Sequence, residues 1–290
     1  MSKTNDINKI KNILITSVIV ALCVVMAVLQ FVSVTYTQDE LWNGLISRIV
    51  QQTCGIVAVV LVLYTMKIKL FGKPQQWLYL LPCIICAVNN FQFWSYFSGK
   101  MHLVRNQALD IIFFFVYCLS IGMFEEFVFR GVLFSVIAGY FTKDKKGLVK
   151  TFVVSSVIFG LSHLFNLFAG GGVGATIMQV GYTTLTGGLF AFVLIKTKNL
   201  LCCGFVHALY NFCGLIMETP NSLGLGSGVV FDLGTGLTMA AVAVCVAAFV
   251  LYSLYKYTEA ERSILYKRLG IKEKPTKQSN ISDKETEIGE

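Results

Sequence analysis

Eight apolar stretches, each long enough to cross a bilayer, constrain this chain more than any other feature of its sequence. A helix needs roughly 20 apolar residues to span the hydrocarbon core of about 30 Å. The stretches lie at about 13–34, 45–66, 77–95, 108–139, 151–168, 174–195, 200–218 and 236–257. A backbone inside lipid must satisfy its own hydrogen bonds, so runs of this length predict helices. We therefore predict an all-α polytopic membrane protein with about eight transmembrane helices.

The composition agrees with a membrane protein and argues against a nucleic-acid-binding one. Of the 290 residues, 55% are hydrophobic and only 14% are charged, whereas a soluble domain carries about 25% charged residues. The formal net charge is +8. The lysines and arginines fall in short connections between apolar runs and form no basic face, so we expect no nucleic acid partner and a lipid bilayer around the chain.

The basic residues also predict an orientation. They concentrate at the N-terminus, in every second connection and after the last run, at Lys3, Lys9, Lys11, Lys67, Lys69, Lys73, Lys143, Lys145, Lys146, Lys150, Lys196, Lys198, Lys256, Arg262, Lys267 and Arg268. Connections rich in lysine and arginine stay in the cytoplasm. Eight spans with both termini in the cytoplasm satisfy this rule at nearly every connection.

Four segments follow from the apolar pattern. Residues 1–107 hold three spans, 108–218 a helical core, 219–257 an outer loop and the last span, and 258–290 a cytoplasmic tail that we expect to be largely disordered. The fourth stretch would be about 48 Å long as a straight helix. It is therefore expected to be tilted, broken or continued along the membrane surface.

Ionisable residues inside the core runs are the strongest functional signal. Glu125, Glu126, Arg130, His163 and His207 all lie in or at the end of apolar stretches. A charged side chain at membrane depth costs about 2.5–3.5 kcal/mol on insertion scales and normally faces a helix-bundle interior or a water-filled cavity. A chain that carries several such residues is expected to use them in one site.

The two glutamates face different directions on a helix. Glu126 and Arg130 are four residues apart, so they share a face and can form an ion pair. Glu125 is turned about 100° away and is free for another partner, which suits a general base that takes a proton from water and later returns it. A purely structural ion network at a helix end is the alternative interpretation of these three residues.

The two histidine motifs have the same four-residue spacing. His207 and Asn211 share one helical face, where imidazole and amide N–H groups can form an oxyanion hole. His163 follows Phe159 by four residues, so an aromatic ring is expected against its helix face. Gly181, Gly187 and Gly188 predict close helix approaches in the sixth span.

A metal site is the chemical alternative. Glu125, His163 and His207 carry ordinary zinc ligands, and a metal-bound water is a strong nucleophile. The H-E-x-x-H pattern of many metalloproteases is absent, and adjacent glutamates do not easily point at one ion from a regular helix. We favour a site without a metal cofactor and keep zinc as the alternative.

The ordered set of motifs resembles a known family. Glu125-Glu126-x-x-x-Arg130, Phe159-x-x-x-His163 and His207-x-x-x-Asn211, on successive hydrophobic segments, are similar to the CPBP family. That family comprises type 2 CAAX prenyl proteases and the bacterial Abi relatives linked to bacteriocin processing and immunity. The resemblance covers roughly 108–217 and includes the segment from Gly187-Gly188 towards His207.

The resemblance implies a role for each motif residue. Glu125 would activate the attacking water with help from His163, and His207 with Asn211 would stabilise the oxyanion. Glu126, Arg130 and Phe159 would support the site. Members of the family have been described both as glutamic proteases and as metalloproteases, so the resemblance leaves the zinc alternative open.

The leading functional hypothesis is therefore an intramembrane endopeptidase. Its expected partner is a membrane-associated peptide or protein, with lipidated proteins and peptide precursors as candidates, and its expected location is a bacterial plasma membrane. The alternative is a non-enzymatic scaffold that acts in bacteriocin immunity or binds a sensor kinase. An ion-coupled transporter is a third hypothesis, although the sequence shows no internal repeat.

One expectation conflicts with this site. Counted along the helices from the cytoplasmic side, Glu125 and His163 lie about 18–23 Å deep but His207 only about 10 Å. Residues at such different depths could not act together. A tilt, a broken helix or a different start of the seventh span would reconcile them.

Overall fold

The structure is a computed structural model. It describes residues 40–103, 108–168, 170–218 and 233–271, together with residue 38 and isolated positions at 14, 16–18, 20–22, 24 and 25. Most of the predicted first span, 13–34, lies outside the described residues. The same holds for the part of the predicted tail beyond residue 271.

Helices dominate the described part of the chain. The α-helices are α1 Glu40–Thr65, α2 Leu80–Asn89, α3 Phe93–Phe97, α4 Ala108–Glu126, α5 Phe134–Tyr140, α6 Lys145–Ser162, α7 Val173–Thr197, α8 Leu200–Leu215, α9 Leu233–Tyr255 and α10 Glu259–Arg268. Short 3-10 helices cover Trp77–Tyr79 and His163–Leu167. The strands β1 His102–Leu103 and β2 Met217–Glu218 form one short antiparallel pair, in the register His102 with Glu218.

The prediction of an all-α polytopic membrane protein is confirmed. Within the described residues, six helical stretches are long and apolar enough to cross a bilayer: Trp42–Thr65, Trp77–Phe97, Ala108–Tyr140, Lys145–Leu167, Val173–Thr197 and Leu233–Tyr255. The seventh predicted span is the shorter helix α8. The total of eight spans and the cytoplasmic position of both termini stay predictions.

The over-long fourth stretch is helical throughout but changes its winding. Between α4 and α5, residues Phe127–Leu133 form a π-helix. Such segments inside α-helices are rare and frequently lie at functional sites. Here the wider winding begins directly after Glu126, so the two glutamates stand at the junction between the two kinds of helix.

Helix α6 begins earlier than the apolar pattern predicted. The expected span started at 151, whereas α6 starts at Lys145. The Asp144 carboxylate accepts a hydrogen bond of 2.8 Å from the Gly147 N–H, and this N-cap satisfies a backbone donor of the first turn. Three lysines assigned to the connection, Lys145, Lys146 and Lys150, therefore belong to the helix.

The predicted tail, 258–290, begins with an ordered helix, and the disorder expected after about residue 270 stays a prediction. Helix α10 begins with a capping box between Thr258 and Glu261. Leu265, Tyr266 and Leu269 are buried against the protein core. These apolar contacts and the cap stabilise a short helix that its polar composition did not predict.

Close backbone contacts between helices position the core. A Cβ atom at Gly122 of α4 would stand 2.6 Å from the carbonyl oxygen of Gly204 and 2.8 Å from the backbone nitrogen of Ala208, both on α8. Only a glycine fits there, and α4 packs extensively against α8 as a result. Two of the predicted close approaches in α7 are confirmed, at Gly187 and Gly188, whereas Gly181 has no neighbour at that distance.

Candidate active site

Glu126 lies at the centre of a buried charge cluster. Its side chain is fully buried, and its Oε2 lies 3.1 Å from Nε of Arg130, whose side chain is 1% exposed. This contact is an ion pair without the alignment of a hydrogen bond. The other carboxylate oxygen, Oε1, lies 2.9 Å from Nδ1 of His207. The predicted pair of Glu126 and Arg130 therefore forms, and it extends to a histidine 81 residues away.

Glu125 is the accessible carboxylate of the pair. Its side chain is 28% exposed, and its Oε2 lies 3.9 Å from Nε2 of His207. That distance is too long for a direct hydrogen bond. Both glutamates therefore address the same imidazole, Glu126 at Nδ1 and Glu125 across a gap at Nε2.

The contact with Glu126 determines which nitrogen of His207 is available. An ionised carboxylate only accepts hydrogen bonds, so Nδ1 of His207 carries a proton and donates it to Glu126. Nε2 then faces the gap towards Glu125. When His207 is also protonated at Nε2, the two carboxylates are balanced by the charges of Arg130 and His207, and the buried cluster is neutral.

Phe159 connects the two histidines. Its ring contacts the ring of His163 edge-on at 5.2 Å and the ring of His207 edge-on at 5.8 Å, measured between centroids. Nδ1 of His163 lies 3.0 Å from the carbonyl oxygen of Phe159. A carbonyl only accepts, so Nδ1 of His163 is the protonated nitrogen and Nε2 of the neutral ring is an acceptor. The aromatic contact that the spacing predicted is present.

Asn211 lies one helical turn after His207 on α8. The four-residue spacing puts both side chains on one helix face. Asn211 is half-buried. The predicted pairing of Asn211 with His207 is therefore compatible with the helix that carries both residues.

The contacts of His207 with Glu126 and Glu125 overturn the predicted difference in depth between Glu125 and His207. The estimate assumed that the seventh span begins at the membrane surface. The turn before α8 is instead covered by protein: Lys198 is fully buried, and Arg268 of α10 donates a 3.1 Å hydrogen bond to its carbonyl oxygen. The start of α8 therefore lies inside the protein, under the end of α10.

The sequence-based reasoning missed two contributors from α7. The carbonyl oxygen of Gly187 accepts a 2.7 Å hydrogen bond from Nη2 of Arg130. The ring of Phe190 stacks on the ring of His207, with centroids 4.5 Å apart and planes 17° apart. The segment from Gly187 onwards resembled the family, but phenylalanine in an apolar run carries no signal of its own.

An apolar cavity of about 560 Å³ lies between α6, α7 and α9, and none of the motif residues is part of its lining. Its lining includes Ser156, Gly188 and Tyr210, which are close neighbours in the chain of Phe159, Gly187 and Asn211. Most of the remaining lining is aliphatic and comes from α6, α7 and α9. The cavity is large and apolar enough for a hydrocarbon chain.

The zinc alternative depends on how the His and carboxylate side chains are grouped. Structural and catalytic zinc sites gather three or four His, Cys or carboxylate side chains around one point. Across the described ranges, no three such side chains are grouped for a metal ion. Nδ1 of His207 contacts Glu126 and Nδ1 of His163 contacts a backbone carbonyl. Histidine ligands of zinc use their second ring nitrogen in the same way and bind the metal through the other one, so these two contacts are compatible with either a glutamic or a zinc-dependent site.

A comparison with known proteins identifies the helical core. A family model described as type II CAAX prenyl endopeptidase, Rce1-like, matches residues 107–213. The chain carries an Rce1-like domain. This confirms the predicted family. The matched range includes every residue of the three motifs, from Glu125 to Asn211.

A curated relative is similar in sequence. The chain is 28% identical over 148 residues to CAAX prenyl protease 2 of Saccharomyces cerevisiae, in a match that covers 44% of this chain and 46% of the relative. The chain thus spans about half the length of that protein. No solved structure gives a significant match to the chain.

The Rce1-like domain and the apolar helices together establish the class of the protein. It is an integral, multi-pass membrane protein that carries a domain of a protease family. Within that domain, three motifs separated by up to 81 residues in sequence meet around one imidazole. The roles assigned to the individual motif residues stay predictions.

Proposed function

We propose that the chain is an intramembrane endopeptidase of the glutamic type, which hydrolyses a peptide bond in a membrane-associated peptide or protein. One observation carries this proposal. Of two adjacent glutamates, Glu126 is fully buried and paired, whereas Glu125 is partly exposed and faces the free nitrogen of His207. One carboxylate is thereby kept for structure and the other is available for chemistry.

Glu125 is the general base in this mechanism. A water molecule bound to its carboxylate loses a proton to Glu125 as the water oxygen attacks the carbonyl carbon of the peptide bond. Nε2 of His163 is an acceptor and can orient that water from a second direction. The 28% exposure of the Glu125 side chain leaves room for the water that a fully buried carboxylate would lack.

His207 and Asn211 stabilise the oxyanion. The attack moves negative charge onto the carbonyl oxygen, and N–H groups directed at that oxygen lower the barrier. The Nε2–H of protonated His207 and the amide of Asn211 are the donors. In the tetrahedral intermediate, the oxygen of the attacking water and the former carbonyl oxygen are bonded to the same carbon. The base and the oxyanion donor must therefore lie close together, and the 3.9 Å between Glu125 and His207 meets this requirement.

Glu126 and Arg130 maintain this arrangement without touching the substrate. Oε1 of Glu126 accepts a hydrogen bond from Nδ1 of His207 and holds the ring, and Oε2 of Glu126 forms the ion pair with Arg130. When the tetrahedral intermediate collapses, the C–N bond breaks and protonated Glu125 transfers its proton to the departing amine. Glu125 then returns to its ionised form.

A lipidated substrate is supported by two observations. The chain is similar to a relative named CAAX prenyl protease 2, and an apolar cavity of about 560 Å³ lies between α6, α7 and α9. We propose that a hydrocarbon chain on the substrate occupies this cavity and brings the peptide bond to Glu125. An unlipidated peptide precursor is the second candidate, and a comparison of the two as substrates distinguishes them.

The first test compares peptides from cells that carry the wild type, Glu125→Gln or the control Glu259→Gln in a null background. Glu259 is a surface carboxylate, 90% exposed, so its change leaves the site intact. We expect cleavage products with the wild type and the control but none with Glu125→Gln. Unchanged products with Glu125→Gln would refute the proposal, and a null phenotype restored by that variant would favour a scaffold.

A second test addresses zinc. The purified wild type is assayed on the cleaved peptide before and after dialysis against a chelator. We expect unchanged turnover, because Glu125 itself activates the water in this mechanism. Loss of turnover that zinc restores would replace the glutamic mechanism by a metal-dependent one while leaving the protease assignment intact.

A further inference from the structure

The imidazole of His207 is enclosed by two phenylalanine rings. Phe190 of α7 stacks on it nearly parallel, at 4.5 Å and 17°, and Phe159 of α6 contacts it edge-on, at 5.8 Å and 82°. Both phenylalanines are 1% exposed. The histidine is therefore held by three helices, its own α8 and the two that supply the rings.

A single hydrogen bond would not fix this ring. The 2.9 Å contact between Nδ1 and Glu126 holds one nitrogen, but the ring plane can still turn about the line that joins the two atoms. The direction of Nε2 depends on that rotation. A flat, fully buried ring stacked against the imidazole removes this freedom, because any tilt would drive the two rings into each other.

We propose that Phe190 is a positioning residue for His207, which sets the ring plane and thereby directs Nε2 towards the gap beside Glu125. This inference rests on the proposed function, in which Nε2 of His207 donates to the oxyanion. Phe190 itself touches neither water nor substrate in this role. It acts through the imidazole, as part of the preorganisation that an oxyanion donor requires.

The same segment of α7 also holds the other partner of Glu126. Gly187, one turn before Phe190, accepts the 2.7 Å hydrogen bond from Arg130. The Arg130 guanidinium carbon lies 4.3 Å from the ring centre of Phe159 and 5.5 Å from that of Phe190, within the range of cation–π contacts. One turn of helix thus orients both Arg130 and His207 around the buried carboxylate.

The kinetic test compares three variants. Phe190→Leu and Phe190→Met keep an apolar side chain but lose the flat ring, whereas Phe190→Tyr keeps the ring. The probe is a quenched-fluorescence peptide that ends in a farnesylated Cys-aliphatic-aliphatic-X sequence. We expect Leu and Met to lower kcat about 10²-fold with little change in KM, and Tyr to retain most of the activity. A kcat near that of the wild type in the folded Leu and Met variants would overturn the proposal.

Phe192 provides a matched control on the same helix. It is equally buried, but its ring contacts Tyr79 and Phe249 at 6.0 and 6.1 Å instead of His207. Phe192→Leu removes a similar volume from the core. We expect it to lower the melting temperature without the loss of kcat seen for Phe190→Leu, and an equal loss in both variants would show a merely structural role.

A second readout is independent of activity. The chain has three histidines, and modification by diethyl pyrocarbonate, followed by mass spectrometry, reports each of them. We expect the rate at His207, relative to exposed His102, to rise several-fold in Phe190→Leu and to stay unchanged in Phe192→Leu. An unchanged rate in Phe190→Leu would overturn the positioning role. If the chain is not a protease, the wild type would be inactive on the peptide while the labelling rates still followed this pattern.

Discussion

At the scale of single residues, the site is organised around one buried carboxylate that contacts an arginine and a histidine. Glu126 touches Arg130 and His207, and none of these three side chains exceeds 6% exposure. Removing one member of a buried ion pair leaves the other without compensation, which costs more than the pair contributes. The arrangement is therefore expected to respond very differently to changes at Glu126 and at its neighbour Glu125.

We predict that Glu126→Ala destabilises the protein by about 3–5 kcal/mol, because Arg130 stays buried without a counter-ion. Glu125→Gln, at a partly exposed side chain, is expected to leave the melting temperature nearly unchanged while abolishing cleavage. Thermal unfolding of both variants in the same detergent tests this difference. Equal melting temperatures would contradict the central structural role of Glu126.

At the scale of elements, the crossing of α4 and α8 brings the motifs together. Gly122 and Gly204 allow the two backbones to touch one turn before the glutamates and one turn before His207. The π-helix Phe127–Leu133 begins immediately after this crossing. The approach of two helices at these glycines, more than any property of the polar residues, sets the distance between Glu126 and His207.

Two alanine substitutions test this crossing, because they are expected to change the stability of the protein in opposite directions. Gly122→Ala puts a Cβ atom 2.6 Å from the carbonyl oxygen of Gly204, and overpacking of this kind costs about 1–3 kcal/mol. Gly139→Ala on α5 meets nothing within 4 Å and should stabilise its helix by about 0.5–1 kcal/mol. The melting temperatures, together with cleavage activity, provide the measurement.

Loss of cleavage in Gly122→Ala with a normal fold would further show that the helix separation controls the site. An increase in stability for both variants would instead mean that α4 and α8 move apart at little cost. In that case, the glycines would not determine the spacing.

At the scale of the whole molecule, the basic connections meet on one face. Arg268 of α10 donates hydrogen bonds to the carbonyl oxygens of Lys73 and Lys198, at 3.4 and 3.1 Å, and its own carbonyl oxygen accepts from the Lys69 N–H at 2.8 Å. Lys145 contacts the carbonyl oxygen of Tyr255 at the end of α9. Connections that the positive-inside rule assigns to the cytoplasm are thus in mutual contact, as one side of a membrane requires.

The orientation can be measured with single cysteines in a background without native cysteines. We predict that Lys73→Cys and Lys143→Cys react with a membrane-impermeant maleimide only after the cells are opened. Lys100→Cys, in the connection after α3, should react in intact cells. Labelling of Lys73→Cys in intact cells would reverse the predicted orientation.

Much of the fold and part of the site follow from local properties of the sequence. Length and hydrophobicity predict membrane helices because the cost of placing each residue in lipid depends mainly on its own side chain. The pair of Glu126 and Arg130 and the contact of His163 with Phe159 follow from a spacing of four residues on one helix. Together with the family resemblance, these patterns were enough to select every motif residue.

Other features depended on how distant segments meet. The bond between Glu126 and His207, the stacking of Phe190, the π-helix after Glu126 and the buried turn before α8 could not be read from the sequence. Periodicity and insertion energy describe one helix in its lipid surroundings, whereas these contacts depend on the crossing of helices at particular glycines. The sequence by itself determined the membrane class, the chemical groups and the pairing of Glu126 with Arg130, because these depend on single residues and on spacing along one helix. Only the tertiary structure decided that His207 meets Glu126 and stacks on Phe190, because these contacts join different helices.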